Sequence, residues 1–268
     1  MLSPRLTRVA RRVVLVLVGI FAVLWLYTIV TGGVGPVGQD IDNYWDAATR
    51  LRAGQPLYVN TGDPNTWYSY SPWFAWLWVP LTFVPLPVVA VIWMGLCLTA
   101  WAYIVWHTRG ATELLLLVAP LTLYGAWVGN VQPLMIAALI RWRGPATVGV
   151  LASLKVSPIL LALVWVGRRR WGPLSIALVV AGILASPAFL YDLKGYPWGL
   201  TEPMSPWHYS VLVGMAFTAI ASLVAVTISR TRYAWLSAGT AVLAARPSLL
   251  LYDVGWLLAA WPSRQDES

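Results

Sequence analysis

The sequence predicts an all-α fold, a polytopic transmembrane helical bundle of about eight to ten helices. Three observations carry that expectation. First, the 268 residues are 59% hydrophobic and only 10% charged, where a soluble domain carries about 25% charged residues, and the mean hydropathy is +0.69. Second, the apolar residues gather in runs of roughly 15–25, near the length that spans a bilayer as helix. Third, charge follows topology. Arg5, Arg8, Arg11 and Arg12, then Arg141 with Arg143, Arg168 to Arg170, and Arg230 with Arg232 sit in short gaps between apolar runs. Asp40, Asp42, Asp46 and Asp63 share one long polar segment, and Asp192 and Glu202 another. Basic short loops read as cytoplasmic, so the acidic loops read as external.

The elements follow in order. Val13–Thr31, behind a basic flank, is read as an uncleaved first helix with a cytoplasmic N-terminus, too long for a signal core. Residues 32–70 then form an outer loop. Apolar segments follow at Pro72–Val84, Val88–Trp106, Leu114–Val128, Met135–Ile140 and Val148–Val166, the last interrupted at Lys155 and Pro158. Pro173–Leu190 leads to a second outer loop, 191–208; Val211–Ile228 returns, and Ala234–Trp261 is broken by Arg246-Pro247. Pro72–Val84 is only about 13 residues, roughly 20 Å of helix against a hydrocarbon core of about 30 Å. If both it and Val88–Trp106 cross, Gly129 falls on the wrong side, so one of them is expected to be re-entrant or half-length. Residues 1–268 read as one integral membrane domain, with loops 32–70 and 191–208 forming its active-site face.

The same pattern excludes several functions. The net charge of +8 is a topology signal, with no basic, aromatic-interleaved face for nucleic acid. His107 and His208 lack metal-ligand spacing, Glu113 reads as a loop charge, and the single Cys97 forms no internal disulfide. No phosphate-binding loop, dinucleotide fingerprint or catalytic-serine elbow is present. No cofactor and no metal is expected.

Chemistry-bearing residues concentrate in a few places. In the outer loop, Tyr44, Trp45, Ala48 and Leu51 recur at helical spacing, with Asp46, Arg50 and Arg52 opposite. This reads as a short interfacial helix with its Trp and Tyr at headgroup level. Asp40, just before it, is either a helix N-cap, a role Asp42 serves equally, or a carboxylate facing a lipid headgroup. Lys155 lies inside an apolar run beside Pro158, which breaks helix. A lysine there faces a cavity or an anionic partner, or snorkels to the interface. Arg246 and Asp253, seven apart, share a face if the helix continues past Pro247, and they either serve a ligand or pair with each other. Asn130 and Gln132 after Gly129 either bind a polar ligand or satisfy a helix end.

Taken together, these residues resemble a known family. Asp40-Ile41-Asp42-Asn43-Tyr44-Trp45, Ala47-Ala48, Gly54-Gln55-Pro56-Leu57-Tyr58 and Tyr70-Ser71-Pro72-Trp73 resemble the amino-terminal pattern of glycosyltransferase family 87. That family includes polyprenyl-phosphate-mannose-dependent α-mannosyltransferases of actinobacteria. The stretch is also similar to the catalytic subunit of GPI mannosyltransferase I. Gly129-Asn130-Val131-Gln132, Leu154-Lys155-Val156-Ser157-Pro158 with Arg168–Arg170, and Arg246-Pro247 to Tyr252-Asp253 extend the likeness over nearly the whole chain. Ile41 replaces the family's usual aromatic, and Asp42 adds a second carboxylate. Members of the family carry more helices after the late proline element, so a minimal, truncated or inactive member stays open.

The resemblance implies a GT-C-type membrane glycosyltransferase. Its donor would be a polyprenyl-phosphate sugar, its acceptor a lipid or glycan hydroxyl, and its location the cell membrane. Asp40 would be the general base. Lys155, with Arg246 second, would stabilise charge on the leaving phosphate. Tyr44, Asn130, Gln132 and Asp253 would complete the site. The competing reading, a non-catalytic protein that binds or flips lipid-linked glycans, uses the same cations and no base.

Overall fold

The computed structural model describes residues 38–60, 67–108, 112–197 and 201–259. The expected first helix, the arginines before it, residues 32–37 at the start of the expected loop, and Asp63 lie outside the described residues. Among the described residues every regular element is helical.

Helix α1, Gln39–Arg52, is amphipathic. Its buried stripe is Ile41, Tyr44 and Ala48 with Ala47 beside it, while Trp45 and Leu51 are half-buried. Tyr44 is therefore a core residue rather than a headgroup anchor. Its ring meets those of Tyr70, Phe74 and Trp78 at centroid distances of 5.3, 5.0 and 5.1 Å. Such ring pairs contribute about 0.5–1.5 kcal/mol each beyond the area they bury. The stripe expected from spacing was displaced because the aromatic wall comes from the following segment and draws Tyr44 inward.

That segment opens with α2, Pro72–Trp78, and continues as a 3₁₀ turn, Val79–Phe83. Together they reach about 20 Å. The chain turns at Pro85 into α3, Leu86–His107, whose 22 residues are apolar and long enough to cross a membrane. Helix α4, Thr112–Trp127, carries the chain back, and Glu113 falls in its first turn rather than in a loop. Gly129 consequently returns to Asp40.

Helices α5 (Gln132–Arg141) and α6 (Pro145–Leu154) follow. Helix α6 stops at Lys155, which is extended (φ −138°, ψ 126°). A 3₁₀ run, Ser157–Ala162, leads into α7, Leu163–Gly167. The interruption expected at Lys155 and Pro158 is thus observed. Helix α8, Trp171–Ala185, packs on α6 and extends as 3₁₀ turn Ser186–Leu190. The combined Trp171–Leu190 is the second span long and apolar enough to cross. A short α9 (Pro206–Tyr209), α10 (Val211–Thr227) and α11 (Ala234–Ala244) complete the main body.

Helix α11 does not continue through Pro247, so the helical-face argument for Arg246 and Asp253 fails. The two meet because residues 245–250 fold back before a 3₁₀ turn, Leu251–Gly255, and a last helical turn, α12, Trp256–Ala259. The broken end is well satisfied. Trp207 Nε1 and Thr218 Oγ1 donate to the Ala244 carbonyl, Ser205 Oγ to that of Arg246 and Glu202 N to that of Pro247. Non-helical backbone in an apolar setting needs such partners. The outward faces of α3, α8 and α10 carry Val91, Ile92, Val179, Ile183, Ile220 and Leu223, all exposed.

Candidate active site

The site grows from the end of α4. Gly129 takes a left-handed φ of 73°. Its N–H bonds the Ala126 carbonyl, and Asn130 N bonds that of Gly125 at 2.8 Å. This is a Schellman ending, which favours glycine at its left-handed position. A Cβ on Gly129 would also strike Ile41. The two carbonyls left over receive the start of α1: Gly38 N donates to Trp127 O at 3.1 Å and Asp40 N to Val128 O at 2.9 Å. Free N–H groups of one helix end meet free carbonyls of another. Asp40 is thereby set beside Asn130, 90 residues away in sequence.

This corrects the N-cap alternative for Asp40. The cap position is Gly38, Asp40 lies within the helix, and no side chain caps it. The Asp40 carboxylate instead accepts a hydrogen bond from Asn130 Nδ2. The amide's orientation follows from its other end, since Asn130 Oδ1 accepts from Gln132 N at 2.9 Å. Its Nδ2 also approaches the Tyr70 and Tyr252 hydroxyls at 3.0 and 3.1 Å. Tyr44 accepts from Val131 N and donates to Tyr70, both at 3.2 Å. Burial pushes the Asp40 carboxyl above its ordinary range, opposed by the Asn130 hydrogen bond and the Lys155 charge. Burial likewise pushes the Tyr44 phenol well up. Asp42 is exposed and outside the cavity described below.

Lys155 reaches the same place from α6. Its Nζ lies 5.0 Å from the Tyr70 ring centre and 6.0 Å from that of Tyr252, within cation–π range. The start of α2 holds this helix end. Ser71 Oγ donates to the Ser153 carbonyl, and Trp73 Nε1 to Ser153 Oγ at 3.1 Å. Arg246 and Asp253 form a buried ion pair. Arg246 also donates to Gln132 Oε1 at 3.0 Å, Gln132 Nε2 to the Tyr252 carbonyl at 3.1 Å, and Leu250 N to Asp253 Oδ2 at 2.8 Å. The pair is structural glue and a cavity wall at once.

Asp40, Tyr44, Asn130, Lys155 and Arg246 line one cavity of about 180 Å³, while Gln132 and Asp253 stand behind Arg246. One water needs only ~10–15 Å³, so the space suits a larger polar group. Sequence reasoning assigned no role to Tyr70, Tyr252, Trp67 or Glu202, which also line it. Tyr70 and Tyr252 stood inside the family-like motifs; Trp67 and Glu202 fell in the two loops expected to form the active-site face, Glu202 marked there only as a loop acid. Segment 191–208 meets segment 67–78: Tyr196 donates to Ser69 O at 3.3 Å and Trp76 Nε1 to the Tyr191 hydroxyl at 2.7 Å. Among the described residues no three His, Cys, Asp or Glu side chains gather as a metal-ligand set.

Comparison with known proteins gives one distant likeness. The chain is 26% identical over 239 residues to a polyprenol-phosphate-mannose-dependent alpha-(1-2)-phosphatidylinositol pentamannoside mannosyltransferase of Mycolicibacterium smegmatis (strain ATCC 700084 / mc(2)155). The match covers 80% of this chain and 55% of the relative, so the chain spans about half the length of the protein it matches. It supports a relationship to glycosyltransferases at the coarse level. No family model matches the chain, and no solved structure matches it.

Proposed function

We propose that the chain is a polytopic membrane glycosyltransferase of the family 87 type. It moves a hexose, mannose by analogy with the relative, from a polyprenyl-phosphate donor to a lipid or glycan acceptor hydroxyl, with inversion. It sits in the cell membrane with a cytoplasmic N-terminus and the Asp40 face outside. The two long apolar spans and the exposed apolar faces of α3, α8 and α10 support the membrane setting.

A single observation carries the chemistry: a carboxylate and an ammonium, Asp40 and Lys155, line one polar cavity. In the proposed step the acceptor oxygen attacks the anomeric carbon while its proton passes to Asp40. The bond from that carbon to the phosphate oxygen breaks on the opposite face, and its electron pair leaves with polyprenyl phosphate. Lys155 offsets the growing negative charge there. Arg246, already committed to Asp253 and Gln132, shapes the wall and adds a weaker field. The raised carboxyl of Asp40 suits a base, since proton affinity nearer the working pH makes transfer more efficient. A lipid-linked-glycan binding or flipping protein has no need of that carboxylate.

The test is transfer of labelled sugar from polyprenyl-phosphate mannose in membranes carrying the parent, Asp40→Asn, Asp42→Asn or Lys155→Ala. Asp40→Asn loses about 10²–10⁴-fold in rate, and Lys155→Ala about 10²–10³-fold. Asp42→Asn keeps the parent rate. Equal rates in the Asp40 and parent proteins overturn the catalytic reading in favour of binding or flipping.

A further inference from the structure

The cavity is also lined by polar groups that the proposed transfer step does not use. Trp67, Glu202 and Ser248 line it with Asp40. Among the described residues no protein group accepts from the buried Trp67 Nε1, which leaves that donor for a ligand in the cavity. Glu202 is half-buried, and its backbone is fixed: its N–H donates to Pro247 O at 3.1 Å and its carbonyl accepts from Ser205 N at 2.8 Å. Among the described residues its carboxylate forms no ion pair. Two segments remote in sequence from Trp67 and from each other in chain order, at Glu202 and Ser248, thus bring a charged acceptor and a hydroxyl to the same cavity as its indole donor.

From this juxtaposition we propose that Trp67, Glu202 and Ser248 form a subsite for a hydroxyl-rich ring, the terminal sugar of a carbohydrate acceptor. Hydroxyl groups of a pyranose donate to the Glu202 carboxylate and accept from Trp67 N–H, and Ser248 can do either. The Trp67 donor that no described protein group satisfies is then used by the ligand. A site built on such groups discriminates against an acceptor lacking the matching hydroxyls. An acceptor presenting only a lipid alcohol leaves both Trp67 and Glu202 unpaired. The assignment rests on the transferase reading and narrows its acceptor to glycan. We assign the acceptor ring rather than the donor sugar because the donor is anchored by its phosphate, for which Lys155 over Tyr70 and Tyr252 supplies the cation.

Two measurements separate the proposal from the reading beneath it. In transfer assays, Glu202→Gln raises the acceptor KM about 10- to 100-fold and Trp67→Phe about 3- to 10-fold, with the donor KM unchanged. A rise confined to the donor KM, or no change in an active enzyme, overturns the acceptor subsite and leaves the transferase intact. In the second, purified full-length Asp40→Asn protein is titrated with methyl α-mannoside, with and without Glu202→Gln. Binding that depends on Glu202 persists although transfer is lost, and binding that ignores Glu202 overturns the proposal. If the parent never transfers sugar yet binds it through Glu202, the transferase reading fails and the subsite stands.

Discussion

Replacing Asn130 should move the pH dependence of transfer, because Asn130 holds down the proton affinity of Asp40. Burial raises that carboxyl, and two influences oppose it, the Asn130 hydrogen bond first and the Lys155 charge second. A hydrogen bond to an ionised group contributes about 1.5–3 kcal/mol, and one pKa unit is about 1.36 kcal/mol. Asn130→Ala therefore lifts the carboxyl by about 1–2 units. Only the ionised form accepts a proton, so rate falls as pH falls through this value. The acid limb of kcat/KM moves to higher pH by the same amount. Asn130→Asp keeps an oxygen for Gln132 N but loses the donor and adds a like charge, and its limb moves further up. The assay is transfer from polyprenyl-phosphate mannose across the pH range, with thermal unfolding of each variant as a control for the cap lost at Gln132. An acid limb that stays in place in a folded Asn130→Ala protein, or moves down, would refute the coupling and with it the case for Asp40 as base.

The remaining expectations concern stability and topology. Asp253→Ala leaves the Arg246 guanidinium buried without its counter-charge, which costs about 3–5 kcal/mol; an unfolding midpoint close to the parent's rejects the ion pair as a structural element. Because Asp40 binds its proton more tightly when folded, its stabilising effect is complete at low pH and is lost as pH rises through the raised value. Asp40→Asn is accordingly at least as stable as the parent at neutral pH, and a marked fall in midpoint there contradicts the burial argument. Gly129→Ala meets both the left-handed backbone and Ile41, costing about 2–4 kcal/mol; in the same thermal assay, Ile41→Ala recovers only the steric share. A cysteine at Asn60 is labelled by an impermeant maleimide from outside intact cells; labelling only after permeabilisation reverses the orientation.

Much of this architecture was legible because it rests on local rules. Pro158 against Lys155 announced the helix break and Pro247 the end of α11, while the parity argument said only that one of Pro72–Val84 and Val88–Trp106 is not a full crossing. The aromatic interior of α1 was not legible. A pattern of Tyr44, Trp45, Ala48 and Leu51 states only that one side is apolar, and whether it meets lipid or protein depends on Tyr70, Phe74 and Trp78. The meeting of Arg246 with Asp253 was expected for the wrong reason, since a seven-residue spacing means two helical turns only where the chain is helical. Trp67 and Glu202 escaped notice because their neighbourhood is created entirely by tertiary folding. An unpaired indole N–H has no sequence signal.

The junction that places Asp40 against Asn130 is made of main chain on both sides, Gly38 N to Trp127 O and Asp40 N to Val128 O. Every residue type supplies the carbonyls, and every type but proline the N–H groups. Point substitution therefore has little purchase on it except at Gly38 and Gly129, where backbone shape is at stake. The distance between carboxylate and amide is thus set by two turns of backbone and not by the apolar side chains packed around them.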